Sequence, residues 1–470
     1  MTKESKKTYV LTGCVLVLVV MFFAGCTTTE NVPKDQSTEQ IETQVPLSPE
    51  GQFAQKLSDA LDTGSIEDAL VLFDTMPEEL RDNLELKQLH ASLLLSAGRL
   101  DEASALTEEL LVAAPGNEDV LILSVMLAKA KGDANGKSEA IKEVLAIDPT
   151  NSDANIVLAE EQMLRKNYKL ATTYYLKGLE GDPDNVDALS GYGQASYYDR
   201  KDKESKQAFE KVLAQDPENS TAYSYLGKLE AANENYFPAA EYIEKAIEID
   251  PNVYDYWLDY GLYLRYQGKF KEAETAWKKA CELEPDYFLA YTYLAGFYDE
   301  QNRYSDALDM YRMVVKLNPQ YYFAYESLGM LAWKDKSYAE ARASFEKAYS
   351  MNANNISYPM MIAATYLKEG KTKDAKDFLS KAMKNRKTDS LEYMMLRLYY
   401  DNLNAGNVER KIANETDKNL KGKMMYYMGL LYEIVGNDVR AKKYYTDVLA
   451  LNSPMFFEYR LAEWAIQDSK

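Results

Sequence analysis

Seven of the chain's 14 prolines, Pro115, Pro149, Pro183, Pro217, Pro251, Pro285 and Pro319, follow one another at intervals of 34 residues. Proline has no backbone N–H and its ring locks φ, so between apolar periodic segments it marks where one helix must end. Scattered turn prolines would not keep such a beat. The interval counts structural units, and it points to a helical repeat even though 470 residues would suffice for several unrelated domains.

With the recurring proline at position 32, units begin at 84, 118, 152, 186, 220, 254, 288, 322 and 356. Position 8 is small (Ala91, Ala159, Gly193, Gly227, Gly261, Ala295, Gly329, Ala363) and so is position 20 (Ala103, Ala171, Ala239, Ala273, Ala307, Ala341, Ala375). Position 24 is large in most units: Ile141, Tyr175, Phe209, Ile243, Trp277, Tyr311 and Phe345. Two small columns and one bulky column are what a helix pair needs to pack closely on itself and on the next pair.

These columns resemble the tetratricopeptide repeat, a helix–turn–helix unit of 34 residues. The best unit, from 254, matches at Trp257, Tyr260, Gly261, Leu264, Gly268, Phe270, Ala273, Trp277, Ala280 and Pro285. A unit near 51–76 keeps Gly64, Ala69 and Phe73, and one from 422 keeps Gly429, Tyr432, Gly436, Ala441 and Tyr445. Departures are Lys137 for the usual Ala, Ala353 for the usual Pro, and a poor fit around NAGNVERK. The resemblance implies an all-α, right-handed superhelical solenoid of about 11–12 antiparallel helix pairs. Its expected divisions are a repeat array over 50–389, a degenerate repeat over 390–421, a last repeat over 422–455 and a capping helix over 456–470.

The N-terminus places Lys3, Lys6 and Lys7 before the apolar run VLTGCVLVLVVMFF and closes on Ala24, Gly25 and Cys26. That order of basic, apolar and small residues reads as a signal peptide over 1–25. It resembles the lipobox of bacterial lipoproteins, which implies that Cys26 becomes the lipidated first residue. Cys14 fits the lipobox spelling better, but its apolar run follows it rather than precedes it. About 14 apolar residues fall short of the roughly 20 that span a bilayer. Residues 26–49, rich in Thr, Gln, Glu and Pro, read as the lipidated Cys and a flexible tether.

A formal charge of −20 argues against nucleic-acid binding, because phosphate repels an acidic surface. The charge is uneven. Residues 356–470 carry 19 Lys+Arg and 15 Asp+Glu, net +4, which leaves −24 for residues 1–355. The basic end, with KAMKNRK at 381–387, suits an acidic partner or an anionic surface.

Reactive groups are scarce. His90 is the sole histidine, at a column otherwise mainly apolar, and reads as a packed structural residue. Cys281, within WKKACELE, reads as a small buried hydrophobe. No GxSxG, HExxH or phosphate-loop string occurs, and the expectation is no catalytic residue, no metal and no cofactor.

Positions 2, 5, 9 and 12 of each first helix lie on one side and avoid packing columns 4, 8 and 11. In the family this stripe lines the concave groove that holds partners. It turns from polar to apolar and aromatic along the chain. The candidate contact set is Tyr197, Leu258, Leu262, Arg265, Tyr266, Asp299, Met330 and Trp333. The Lys/Asn arrangement by which some members hold a C-terminal carboxylate is absent.

The expected function is a non-catalytic scaffold, lipid-anchored in the bacterial cell envelope, that binds protein or peptide segments. Thr27 after the lipid Cys, rather than Asp, favours the outer membrane over the inner. Two alternatives are a ligand-binding accessory of an envelope transporter and an assembly factor for outer-membrane proteins or pili.

Overall fold

The computed structural model describes residues 48–468 apart from Gly64 and Asn385. Cys26, the apolar run before it and the tether lie outside the described residues. Among the described residues there are 25 α-helices, one short 3-10 turn at Glu78–Leu80 and no strand. The fold is an α solenoid built of paired helices. The chain divides into two compact units after Leu229, inside the helix Ser220–Ala232.

In the first unit the helices keep the 34-residue frame. First helices begin at Leu84, Glu118, Ser152, Val186 and Ser220, and second helices at Leu100, Ala134, Tyr168 and Asp202. The starts have a local cause in a column of asparagines that closes each preceding unit. Asn83, Asn117, Asn151, Asn185 and Asn219 each accept, through the side chain, the backbone N–H three residues on. An N-cap of this kind satisfies one of the four donors a helix start leaves free.

The turn inside each pair has its own column. Position 15 is left-handed throughout: glycine at 98 and 132, but Lys166 and Arg200 at φ 58° and 63°. Packing follows the small-against-large columns. Were Gly193 to carry a Cβ, that atom would stand 2.8 Å from Phe209 Cζ, so the two helices close only because the side chain is absent.

The second unit repeats these devices and changes one. At the cap position Val253 and Tyr287 replace asparagine and make no side-chain cap. The start of the helix Phe288–Glu300 is satisfied from the neighbouring repeat instead, where Tyr254 Oη accepts from the Ala290 N–H at 2.9 Å. Gly261, Gly329 and Gly429 again face aromatic rings, of Trp277, Phe345 and Tyr445, too closely for any Cβ. The core rings Trp277 and Phe345 are fully buried.

Residues 390–421 hold two short helices, Leu391–Asp401 and Ala405–Ala413, joined through Asn402 and Asn404 in the left-handed region. The helix Phe457–Asp468 packs on Asp438–Ala450. It also reaches residues some 160 positions earlier in the chain, Asp299 on a first-helix stripe and Tyr304 at the start of the second helix of that pair.

Candidate functional site: the first-helix stripe of the second unit and the helix seated on it

Two stripe residues of the units from 288 and 322, Asp299 and Trp333, lie beside the last helix. Asp299, at position 12, accepts two hydrogen bonds at 2.6 Å from the Arg460 guanidinium, a bidentate ion pair. Trp333, at position 12 of the next unit, lines a cavity of about 300 Å³ together with Trp464, Tyr338, Tyr426, Tyr445 and Lys368. Glu326, at position 5, accepts from Tyr358 Oη at 2.7 Å, and the Tyr358 ring stacks near Phe457. Burial raises the Glu326 carboxyl above its usual range, the Tyr358 hydroxyl opposes that, and nearby Glu458 adds to it.

The seated helix is amphipathic. Leu461, Ala462 and Trp464 are buried, and Trp464 Nε1 donates to Tyr304 Oη at 3.1 Å. The Lys334 ammonium stands 4.9 Å from both the Tyr304 and Trp464 rings, within cation–π reach. Glu458 is fully buried. Tyr427 Oη donates to its Oε1 at 2.6 Å, whereas its Oε2 and the buried Ser357 Oγ have no hydrogen-bond partner.

The other expected contact residues fall differently. Met330 is only 7% exposed and belongs to the core, so it offers little surface. Arg265 is turned along the stack, donating to both carboxylate oxygens of Glu300 at 2.7 Å and lying over the Tyr266 ring at 5.5 Å. Tyr266 is 54% exposed and stacks on Tyr236 at 4.2 Å. Leu258 and Leu262 are half-buried against the core. Tyr197, in the first unit, sits edge-on to Tyr198 and Tyr225 with centroids 5.4 Å away.

Sequence reasoning missed Arg460, Trp464, Glu458 and Tyr304. A signal existed in the charge split, since the basic end of the chain supplies Arg460 and the acidic remainder supplies Asp299. The spacing of Arg460 and Trp464, one helical turn apart, was a second.

Nothing reactive gathers at the stripe. His90 stacks on Phe73 at 4.3 Å, and burial lowers its pKa. Burial pushes the Cys281 thiol up to about 11, which leaves it protonated and a weak nucleophile at neutral pH. Among the described residues no group of three or more His, Cys, Asp or Glu could hold a metal ion, and no helix is long and apolar enough to cross a membrane.

Residues 193–253, 258–322 and 298–356 match the tetratricopeptide repeat family, so the chain carries repeats of that kind. No curated protein matches. Among solved structures, the C-terminal part of a repeat-containing protein from Cytophaga hutchinsonii is 18% identical, covers 51% of this chain and 99% of its own, with a TM-score of 0.39. PilW, described as a type IV pilus biogenesis factor, is 18% identical over 44% of this chain and 95% of its own, with a TM-score of 0.38. YrrB, described as having an unusual peptide-binding site, is 23% identical over 40% of this chain and 98% of its own, with a TM-score of 0.34. Proteins built of these repeats generally mediate protein–protein interactions.

Proposed function

We propose that this protein is a non-catalytic interaction scaffold of the bacterial cell envelope, held to a membrane by a lipid on Cys26 and binding protein or peptide segments through its first-helix stripes. The observation that carries the binding part is Asp299 and Trp333. Both belong to the stripe by their spacing, and both lie beside a helix seated on that face. A surface that accommodates one amphipathic helix has the shape and chemistry for such a segment.

The anchor rests on the sequence alone, on a basic start, an apolar run and Ala24-Gly25-Cys26. Labelling cells with a fatty-acid probe tests it: wild type and Cys14→Ser take up label, and Cys26→Ser does not. Label retained in Cys26→Ser removes the envelope lipoprotein reading. Fractionating the two membranes then decides between outer and inner.

A second reading, a ligand-binding accessory of a transporter, draws on the cavity of about 300 Å³ beside Trp333 and Trp464. That volume is at the lower end for a small-molecule site. In-cell photo-crosslinking from Phe323, a stripe residue 68% exposed, separates the readings, because capture of a protein favours the scaffold.

A further inference from the structure

The helix Phe457–Asp468 is seated beside Asp299 and Trp333 of the stripes in the units from 288 and 322, yet it fits imperfectly. Three observations show this. The buried Glu458 keeps one carboxylate oxygen without a partner, as does the Ser357 hydroxyl, and an unsatisfied buried polar group opposes the packed state. A cavity of about 300 Å³ remains open along Trp464, Ala465 and Asp468. Much of the specific hold is polar: the Arg460–Asp299 pair, with side chains 32% and 14% exposed, and the Trp464–Tyr304 hydrogen bond. The segment before it, with Asn452 at φ 48° and Pro454, lies outside any helix.

We infer that this face is a receptor for an amphipathic helix carrying a basic residue and, one turn later, an aromatic one, and that Phe457–Asp468 is its resident occupant, exchanged for a partner helix of the same pattern. The inference rests on the interaction-scaffold reading and gives the partner a chemistry. Its basic residue replaces Arg460 on Asp299, and its aromatic residue replaces Trp464 between Tyr304 and Lys334. A partner with an apolar residue in place of Glu458 leaves no carboxylate oxygen unpaired in the core. Charge complementarity supports a basic residue at the Arg460 position, since Asp299 on the receptor side faces it as a bidentate ion pair. The resident helix competes as a tethered ligand at an effective concentration on the order of millimolar, so a free helix binds wild type weakly.

The test uses the full chain and a fluorescent synthetic peptide of residues 455–470 as the probe. Arg460→Ala weakens the resident helix while leaving the receptor face intact, so the probe binds this variant about tenfold or more tightly than wild type. Adding Asp299→Ala takes away the receptor carboxylate, and the gain disappears. Hydrogen exchange confirms the cause if residues 457–468 lose protection in Arg460→Ala while 288–334 keep theirs. Should Arg460→Ala disturb 288–334, Arg460→Lys carries the same comparison with a smaller gain. Equal probe affinity for wild type and both single variants overturns the inference, as does undiminished binding by the double variant. If the probe fails while crosslinking from Phe323 captures a protein, the exchange idea falls and the scaffold reading stands. Tighter probe binding by Arg460→Ala with no protein captured from Phe323 upholds the receptor face and its displaceable helix, and overturns exchange for a protein partner together with the scaffold reading.

Discussion

Single residues decide the turns inside each helix pair. Position 15 is left-handed in every complete unit, a conformation that costs a side-chain-bearing residue about 1–2 kcal/mol, and five units put glycine there while Lys166, Arg200, Glu234, Asn302 and Lys336 occupy it in the others. Lys166 is exposed, so Lys166→Gly removes strain without losing a packed side chain and raises stability by about 0.5–1 kcal/mol. Gly268→Ala, at φ 77°, costs about 1 kcal/mol by the same reasoning. Urea titration of both variants checks the pair, and equal midpoints would contradict the strain argument.

Glu274 gives a pH prediction. Burial works against its charge, but hydrogen bonds from Arg303, Lys278 and Tyr298 prevail and hold the carboxyl down to about 2 against an ordinary 4.5. A lowered carboxyl contributes stability that is complete above its unfolded value and lost as pH falls through the folded one. The gap in melting temperature between wild type and Glu274→Gln is therefore largest above pH 4.5 and closes towards pH 2. His90 adds a milder loss in the same direction, beginning as pH falls below 6.5, because burial lowers its pKa.

At the scale of the helix pair, contact between glycine and aromatic ring sets the spacing. A Cβ on Gly261 would lie 2.5 Å from Trp277 Nε1, whose N–H donates to the Leu258 carbonyl at 3.1 Å. Gly261→Leu forces the pair apart at a cost of about 1–3 kcal/mol or more. In a stack each pair is stabilised by itself and its neighbours, so hydrogen exchange rises in Tyr254–Leu283 and Phe288–Leu317 and not in the most distant helices. Uniform loss of protection would show one cooperative globule instead.

Two aromatic residues at this scale separate packing from binding. Tyr298 is buried and donates to Glu274 at 2.9 Å, so Tyr298→Ala costs about 3–5 kcal/mol. Trp333 is half-buried, touching Tyr338 edge-on at 5.2 Å, and Trp333→Ala lowers melting temperature less while loosening the helix seated beside it. Equal melting of the two variants would assign Trp333 to the core.

At the scale of the whole chain, the 34-residue beat of prolines, the small and large columns and the 3.6-residue periodicity were enough for the helix pairs and the boundaries of most helices. These features act over a few residues or between adjacent repeats, so their physical causes, caps, turns and close helix contact, leave local marks in the sequence. Three of the asparagine caps, Asn151, Asn185 and Asn219, close DPxN strings, a local signal that sequence reasoning did not use. The frame brought Asp299 and Trp333 to a binding stripe, but it also put Met330 there, and Met330 is buried. Which side of a helix stays open depends on what covers it. At Asp299 the cover is the helix Phe457–Asp468, which meets it across 161 residues of chain through one ion pair and meets Tyr304 through one indole hydrogen bond. No propensity or spacing near residue 299 encodes a contact that distant. Only the tertiary structure decided it, because it depends on the packing of every repeat between those two points.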